Sequence, residues 1–235
     1  MKKVCSIFPV VIIILLTVQI CSASALRSES GFLTEKMSSD EQNSIISHLK
    51  VERIDNEPKS NTLFCFDVND NGDIAVGNES LSKKYISVYN GQGDFLCGYK
   101  INTNGKFGVG WKDTRLIIYL VRENAAITID DNGEVLLCEE IKDTEENHFY
   151  WDNEIFSAER IKNNSRYTMK NRSKLLNIFA ASYSILEKTD ESGESIVYDN
   201  SSNYKIRFAA ECLGIIVFVL AVIICLTKKL GKNKN

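Results

Sequence analysis

The sequence is poor in the residues on which catalytic and metal sites most often depend. It contains two histidines, His48 and His148, and neither has a cysteine or a carboxylate at metal-ligand spacing. It contains no nucleophile-elbow, zinc-protease or phosphate-loop motif. We therefore assign no catalytic, cofactor-binding or metal-binding residue, and we do not expect an enzyme.

Cysteine is scarce in the part of the chain where a disulfide framework would need it. Of the seven cysteines, four lie in the two apolar end segments, at positions 5, 21, 212 and 225. The remaining three, Cys65, Cys97 and Cys138, allow at most one bridge and leave one thiol over. Each lies in an apolar, strand-like run, where cysteine packs as a small hydrophobe. We expect buried free thiols at these three positions.

Acidic residues outnumber basic ones, which disfavours a nucleic-acid surface. The formal net charge is −3, from 28 Lys and Arg against 31 Asp and Glu. Lysines flank both apolar end segments, at positions 2, 3, 228, 229, 232 and 234, so the region between them is more acidic than the whole. Nucleic-acid binding requires a basic footprint, and we exclude nucleic acid as a partner.

What the chain does have is a long apolar segment at each end. At the N-terminus, Lys2 and Lys3 precede the apolar run VVIIILLTV, and the small residues of CSASA follow. This is the pattern of a secretory signal, with Ala23 and Ala25 at the small-residue positions of the cleavage site. We interpret residues 1–25 as a signal peptide. Because the apolar stretch is long for a signal, an uncleaved N-terminal anchor is the alternative.

The C-terminal segment FAAECLGIIVFVLAVIICLT, at 208–227, has the length that crosses a bilayer as a helix. The lysines that follow it place the tail, 228–235, in the cytoplasm, because basic flanks stay inside. We therefore predict a single-pass cell-membrane protein whose domain lies outside, joined to its span by a linker at 201–207. Glu211 is the one charge in the span, and it lies in the first turn, where it can reach interfacial water.

The stretch FDVNDNGDIAVG, Phe66 to Gly77, matches much of a calcium-binding EF-hand loop, with Asp67 and Asp73 at ligand positions. The bidentate carboxylate that should close the loop is missing, and strand-like residues flank it. Shifted by 33 residues, the stretch aligns with YKINTNGKFGVG, in which both aspartates become lysine. A hairpin turn tolerates that exchange and a calcium site does not. We predict a turn, with Gly72, Gly105 and Gly133 at positive φ.

A second unit also recurs along the chain. YISVYNGQGDFLC, from Tyr85, corresponds to AAITIDDNGEVLLC, from Ala125, and more weakly to SILEKTDESGESIVYD, from Ser184. Alternating patterns fill the gaps, including HFYWDNEIFSAERI at 148–161, which we interpret as strand. We predict a β-repeat domain of about fourteen short strands at 61–200. The polar leader at 26–60 is expected to hold one short helix, capped by Ser39 or Asp40.

At these residues, FDVNDNGDIAVG followed by KYISVYNGQGDFL resembles the blades of NHL-type β-propellers. In layout, the chain also resembles uncharacterised membrane-anchored proteins of Gram-positive bacteria. The resemblance covers residues 62–141 and implies an all-β, propeller-like antiparallel meander of three to four blade-like units. Closed propellers have four to eight blades, so the alternatives are a very small ring, a barrel or sandwich, or two chains that complete one another.

Two functional hypotheses follow from this composition. The first is a membrane-tethered extracytoplasmic module that binds an envelope protein or forms a homo-oligomer, without a cofactor. The alternative is a cell-envelope hydrolase acting on glycan or peptide, whose carboxylates meet only in the fold. A cleft holding two carboxylates about 5 to 9 Å apart favours the hydrolase. The neighbours Asp130 and Asp131 cannot form such a pair, because adjacent strand residues point to opposite faces.

Overall fold

The structure, a computed structural model, describes residues 27–59, 62–80, 83–172 and 182–202, together with Ala209 and Leu213. The signal predicted at 1–25, nearly all of the membrane span predicted at 208–227, the tail at 228–235 and most of the linker at 201–207 therefore lie outside the described residues. Within the described ranges, no helix has the length and apolar character needed to span a membrane.

The all-β prediction is confirmed, because the described residues form fourteen strands and two short helices. Twelve of the strands lie in the predicted β domain and two lie in the leader. The strands are β1 (Thr34–Glu35), β2 (Glu52–Ile54), β3 (Thr62–Val68), β4 (Ile74–Ser80), β5 (Lys83–Tyr89), β6 (Phe95–Ile101), β7 (Phe107–Lys112), β8 (Arg115–Leu120), β9 (Ala125–Ile129), β10 (Val135–Ile141), β11 (Glu159–Lys162), β12 (Ser165–Lys170), β13 (Ile185–Asp190) and β14 (Gly193–Asp199).

The strands form three antiparallel sheets, and each contains four strands that follow one another along the chain. We name them in chain order: the first sheet is β3 to β6, the second is β7 to β10, and the third is β11 to β14. The leader adds β2 to the β6 edge of the first sheet and β1 to the β10 edge of the second. All three sheets are open in the part of the chain that the structure describes.

Helix α1 (Ser39–Leu49) lies in the leader, as the sequence predicts, but its N-cap is Ser38 and not Ser39 or Asp40. The Ser38 hydroxyl accepts a hydrogen bond from the Glu41 N–H, and the Glu41 carboxylate accepts one from the Ser38 N–H. This capping box satisfies donors that the first turn leaves free. Leu49, the last residue of the helix, is buried in the core between the first and second sheets.

The segment at 148–161 is not the strand that its alternating pattern predicts. Helix α2 (Glu145–Tyr150) begins after Thr144, whose side chain accepts from the Asn147 N–H. It continues as a π-helical turn, Trp151–Ile155, and only Glu159–Lys162 becomes strand β11. Trp151 and Ile155 stand four residues apart, on one helical face, and both pack on the second sheet. The buried residues of this segment therefore have a helical spacing, although its aromatic residues suggest a strand.

Three apolar clusters hold the sheets together, and the first sheet lies in the middle. One cluster joins the first sheet to the second, through residues such as Ile86 and Ile127. Another joins the first sheet to the third, through Phe66, Tyr167 and neighbours. The remaining cluster lies on the far face of the second sheet, beneath α2 and its π-helical turn. The first sheet thus buries both of its faces, which explains the continuous apolar runs in β3 and β4.

The hairpin prediction at Gly72 is confirmed. The three-residue loop between Asn69 and Asp73 joins β3 to β4, with Gly72 at φ +88°. The same geometry recurs in the loops that hold Gly93 and Gly133, at φ +90° and +87°. In each loop the last residue is a glycine with positive φ, and an acidic residue follows it. The N–H of that acidic residue donates to the side-chain oxygen of the residue that precedes the loop, which is Asn69, Asn90 or Asp130.

The prediction for Gly105 is wrong, because Gly105 does not have a positive φ. YKINTNGKFGVG runs from β6 in the first sheet to β7 in the second, whereas FDVNDNGDIAVG forms a hairpin within one sheet. The 33-residue alignment therefore joins segments that are not structurally equivalent. Glycine is needed at 105 for space instead, since a Cβ there would lie 2.9 Å from the Arg122 Cβ.

The second recurring unit occupies corresponding places. YISVYNGQGDFLC forms β5 and β6, AAITIDDNGEVLLC forms β9 and β10, and SILEKTDESGESIVYD forms β13 and β14. In every case these are the third and fourth of the four consecutive strands in their sheet.

Candidate binding cleft

A polar cleft of about 540 Å³ opens where the first strands of the three sheets come together. Its wall is formed by the ends of β3 and β7, by strand β11 and by the π-helical turn. Its lining residues include Asp67, Asp70, Trp111, Glu154, Arg160 and Lys162. Because each sheet contributes its first strand, the cleft exists only when all three sheets are packed together.

One carboxylate joins the three sheets at the floor of the cleft. Asp67, on β3, accepts a hydrogen bond at Oδ2 from the backbone N–H of Trp111, on β7, at 2.8 Å. Its Oδ1 lies 3.3 Å from Nε of Arg160, on β11, and the two side chains are only 19% and 16% exposed. Arg160 Nε also donates to the Phe66 carbonyl oxygen at 3.0 Å. The fold thus places an ion pair at the junction of its sheets.

The surroundings of Asp67 act on its pKa in opposite directions. Burial, the largest effect, raises the pKa of the carboxyl above its ordinary value. The Arg160 guanidinium and the N–H of Trp111 oppose that rise, because they stabilise the ionised form. The carboxylate is therefore held in place by charged and polar partners at a site where its desolvation is costly.

Further ion pairs line the wall and rim. Glu154, in the π-helical turn, places Oε2 3.6 Å from Nη1 of Arg160, and its carbonyl oxygen accepts from Nη2 of the same guanidinium. At the rim, Lys162 Nζ lies 2.6 Å from Oδ1 of Asp70, and this hydrogen bond lowers the pKa of Asp70. Asn163 supports the rim by donating to the Asp70 carbonyl oxygen at 3.0 Å. The cleft therefore presents alternating charges of both signs.

A smaller pocket, of about 360 Å³, lies between the end of α1 and the turn that joins β8 to β9. His48 lines it, and its Nδ1 donates to the Ser44 carbonyl oxygen at 2.7 Å. His148 lies elsewhere, exposed on α2, with Nε2 2.7 Å from Oδ1 of Asp143. The structure does not bring the two histidines into one site. Within the described residues, it also contains no cluster of three potential metal ligands.

The three remaining cysteines are free, as the sequence predicts. Cys65 and Cys138 are buried, and burial raises the pKa of their thiols to about 12 and about 11. Cys97, however, is only half-buried. Thiols with raised pKa values are poor nucleophiles at neutral pH, so Cys65 and Cys138 are packing residues.

Side chains of the protein itself close the turn that a calcium loop would occupy, and a second turn is closed by the same kind of contact. Asn69 closes the β3–β4 turn by accepting from the Asp73 N–H at 2.8 Å and donating to Asp73 Oδ2 at 3.0 Å. Asp130 closes the β9–β10 turn in the same way, through the Glu134 N–H. Asp67 is different. The 33-residue alignment places a lysine at its position, whereas in the structure its carboxylate lies at the floor of the cleft and contacts Trp111 and Arg160.

No motif in the sequence identifies Arg160 as a site residue. Its signal is weak but readable, since Arg160 and Lys162 alternate along β11 and therefore share one strand face. Comparison of the chain with protein-family models, with curated proteins and with solved structures gives no match.

Proposed function

We propose that the chain is a membrane-tethered extracytoplasmic binding module, with a propeller-like domain that binds its ligand in the central cleft. The ligand is a polar envelope component, either a protein segment or a glycan. The observation that carries the proposal is a cleft of about 540 Å³ formed by all three sheets, within the size range of ligand sites. The tether is the predicted span at 208–227, and the predicted signal accounts for export.

The arrangement of the sheets supports a propeller-like interpretation. Three sheets of four consecutive strands pack face to face, with the first strands β3 and β7 in contact. Propeller blades are built from such four-stranded meanders, and their first strands lie nearest the central axis. The cleft lies at the corresponding place, so we infer that each sheet acts as one blade of an open, three-bladed assembly.

Binding is favoured over hydrolysis because four of the five carboxylates that line the cleft form ion pairs. Asp67 and Glu154 both contact Arg160, and Asp70 contacts Lys162. A glycosidase needs one carboxyl that is protonated and a second that is free to attack or to activate water. Carboxylates held by cations are suited instead to orienting a polar ligand by hydrogen bonds and charge.

A photo-crosslinking amino acid at Asn153 tests the proposal in intact membranes. Asn153 is exposed and lines the cleft, whereas Asp40 is exposed on α1 and serves as the control position. We expect a discrete crosslinked envelope component from position 153 and none from position 40. Lys162→Glu, which reverses one charge at the rim, should lower the yield several-fold. Equal labelling from both positions would contradict a ligand site in the cleft.

The hydrolase alternative predicts a different outcome. Burial raises the pKa of Asp67, as in a general acid, so Asp67 is the residue that such an enzyme would use. Purified full-length protein should then release products from envelope glycan or peptide, and Asp67→Asn should abolish the release. We expect no product above background from either protein.

A further inference from the structure

We propose that the outer edge of β14 is a second interaction surface, which adds an antiparallel strand from a partner protein carrying lysine or arginine. This surface is distinct from the central cleft, and the proposal does not depend on ligand binding there.

The backbone of β14 presents hydrogen-bonding groups that its neighbour β13 does not use. Asp190 and Gly193 pair across a two-residue turn and exchange backbone hydrogen bonds. In an antiparallel pair such bonded pairs alternate with unbonded ones, so the next pair, Thr189 and Glu194, does not exchange them. The N–H and C=O groups of Glu194 and Ile196 therefore point away from β13. Residues 193–196 are exposed, and Ile196 is 48% exposed. Among the described residues, no strand pairs with this side of β14.

The same edge is occupied in the other two sheets. The leader strand β2 pairs antiparallel with β6, and β1 pairs antiparallel with β10, each at the outer side of the fourth strand. Both additions are short. Glu52 of β2 lies opposite Lys100 of β6, and their charged atoms are 2.6 Å apart. Glu35 of β1 lies opposite Glu140 of β10 and contacts Lys142, just beyond the strand, at 3.6 Å. The fold therefore accepts a fifth strand at this position, and at the β6 edge a direct cross-strand ion pair accompanies it.

The charge at the β14 edge is the reverse of that at the β6 edge, where Lys100 lies opposite Glu52 of the added strand. Glu194 is exposed on β14, and Glu191 is exposed in the turn beside it. A strand added here meets a carboxylate where β2 meets the ammonium group of Lys100, so its matching residue is basic. A second copy of β14, with the sequence GESIVYD, has no basic residue to offer. The complementary partner is thus a different, basic segment.

Exposed strand edges are known templates for strand addition, with backbone hydrogen bonds providing affinity and side chains providing specificity. The probe is a labelled hexapeptide of alternating lysine and valine, compared with one in which glutamate replaces lysine. Binding to the detergent-solubilised full-length protein is followed by fluorescence anisotropy. We expect the lysine peptide to bind about fivefold more tightly, the value of one cross-strand charge pair.

Matched variants separate strand addition from general attraction to an acidic protein. Ile196→Pro removes one outward N–H and should weaken binding about fivefold or more, while Ile196→Thr keeps that N–H and should bind as the wild type does. Glu194→Lys should reverse the preference, so that the glutamate peptide binds better. Glu145→Lys makes the same change in net charge on α2 and should leave the preference unchanged.

Several results would overturn the proposal. One is failure of the wild type to bind either peptide, and another is equal binding by the Ile196→Pro and Ile196→Thr proteins. Hydrogen exchange provides an independent measurement on the protein alone. If the amides of Glu194 and Ile196 are already protected without peptide, a segment of this chain or a second copy occupies the edge. Loss of that protection on dilution would identify the second copy.

Discussion

At the scale of single residues, the ion pair between Asp67 and Arg160 has the largest consequences. It joins β3, β7 and β11 through one carboxylate, one guanidinium and one backbone N–H. A buried pair is not a large net source of stability, because desolvation offsets the attraction. Removing one partner is nevertheless destabilising, since the other remains buried and unpaired.

Asp67→Lys should therefore destabilise the domain by about 3 to 5 kcal/mol, because two cations would then meet in one partly buried site. This reverses the expectation from the 33-residue alignment, in which lysine replaces aspartate freely. Asp73→Lys is the matched control, since it removes only contacts within the β3–β4 turn, and it should cost about 1 kcal/mol or less. Urea unfolding followed by tryptophan fluorescence measures both. Similar midpoints for the two variants would contradict the structural role of Asp67.

The raised pKa of Asp67 predicts a pH dependence with a definite sign. A carboxyl whose folded pKa lies above its unfolded value contributes most stability when it is protonated, and this contribution is lost as the pH rises through the folded pKa. The urea midpoint of the wild type, measured relative to that of Asp67→Asn, should therefore fall from about pH 4, the ordinary aspartate pKa, towards neutral pH. A difference that rises over this range would show that Arg160 outweighs burial.

At the scale of elements, the turn glycines have separate reasons for being glycine. Gly72 has φ +88°, and a Cβ there would meet nothing within 4 Å. Gly72→Val should thus cost about 1 to 2 kcal/mol from backbone strain alone, whereas Gly72→Asn should cost less, because asparagine tolerates left-handed conformations better. Urea midpoints of the two variants give the comparison. Equal losses would mean that strain at this position is not the cause.

The capping box of α1 gives a second prediction at this scale. Ser38→Ala removes a side-chain acceptor from the first turn and should cost about 1 kcal/mol. Ser39→Ala changes a neighbouring serine that does not serve as the cap and should be nearly neutral. Amide exchange in residues 39–43 reports the difference directly. If the Ser39 variant frays the helix more than the Ser38 variant does, the assigned N-cap is wrong.

The elements differ in how far the sequence predicts them. The hairpins at Gly72 and Gly133 are predictable, because a loop of a few residues contains all the chemistry of the turn. Helix α2 is missed, since Phe149, Tyr150 and Trp151 suit a strand as well as they suit a helix packed on a sheet. The cleft is beyond local patterns altogether, because Asp67 and Arg160 are far apart in the chain and meet only through packing of the sheets.

At the scale of the whole molecule, membrane topology is the most direct prediction. Protease added to intact cells should digest the domain at 26–205, while a tag placed after Asn235 stays protected by the bilayer. The physical reason is that basic residues following an apolar span remain in the cytoplasm. Immunoblotting against the tag before and after lysis provides the measurement. Protection of the domain before lysis would contradict the export predicted from the N-terminal segment.

The central position of the first sheet also has a mechanical consequence. That sheet supplies residues to two apolar clusters, whereas the third sheet takes part in only one of these clusters. The chain leaves the third sheet through β14, directly before the predicted tether. Tension applied at the C-terminal end therefore loads the sheet that is held on one face only. Under force the domain should yield in two steps, with the third sheet detaching first and the first two sheets remaining joined as a resistant unit.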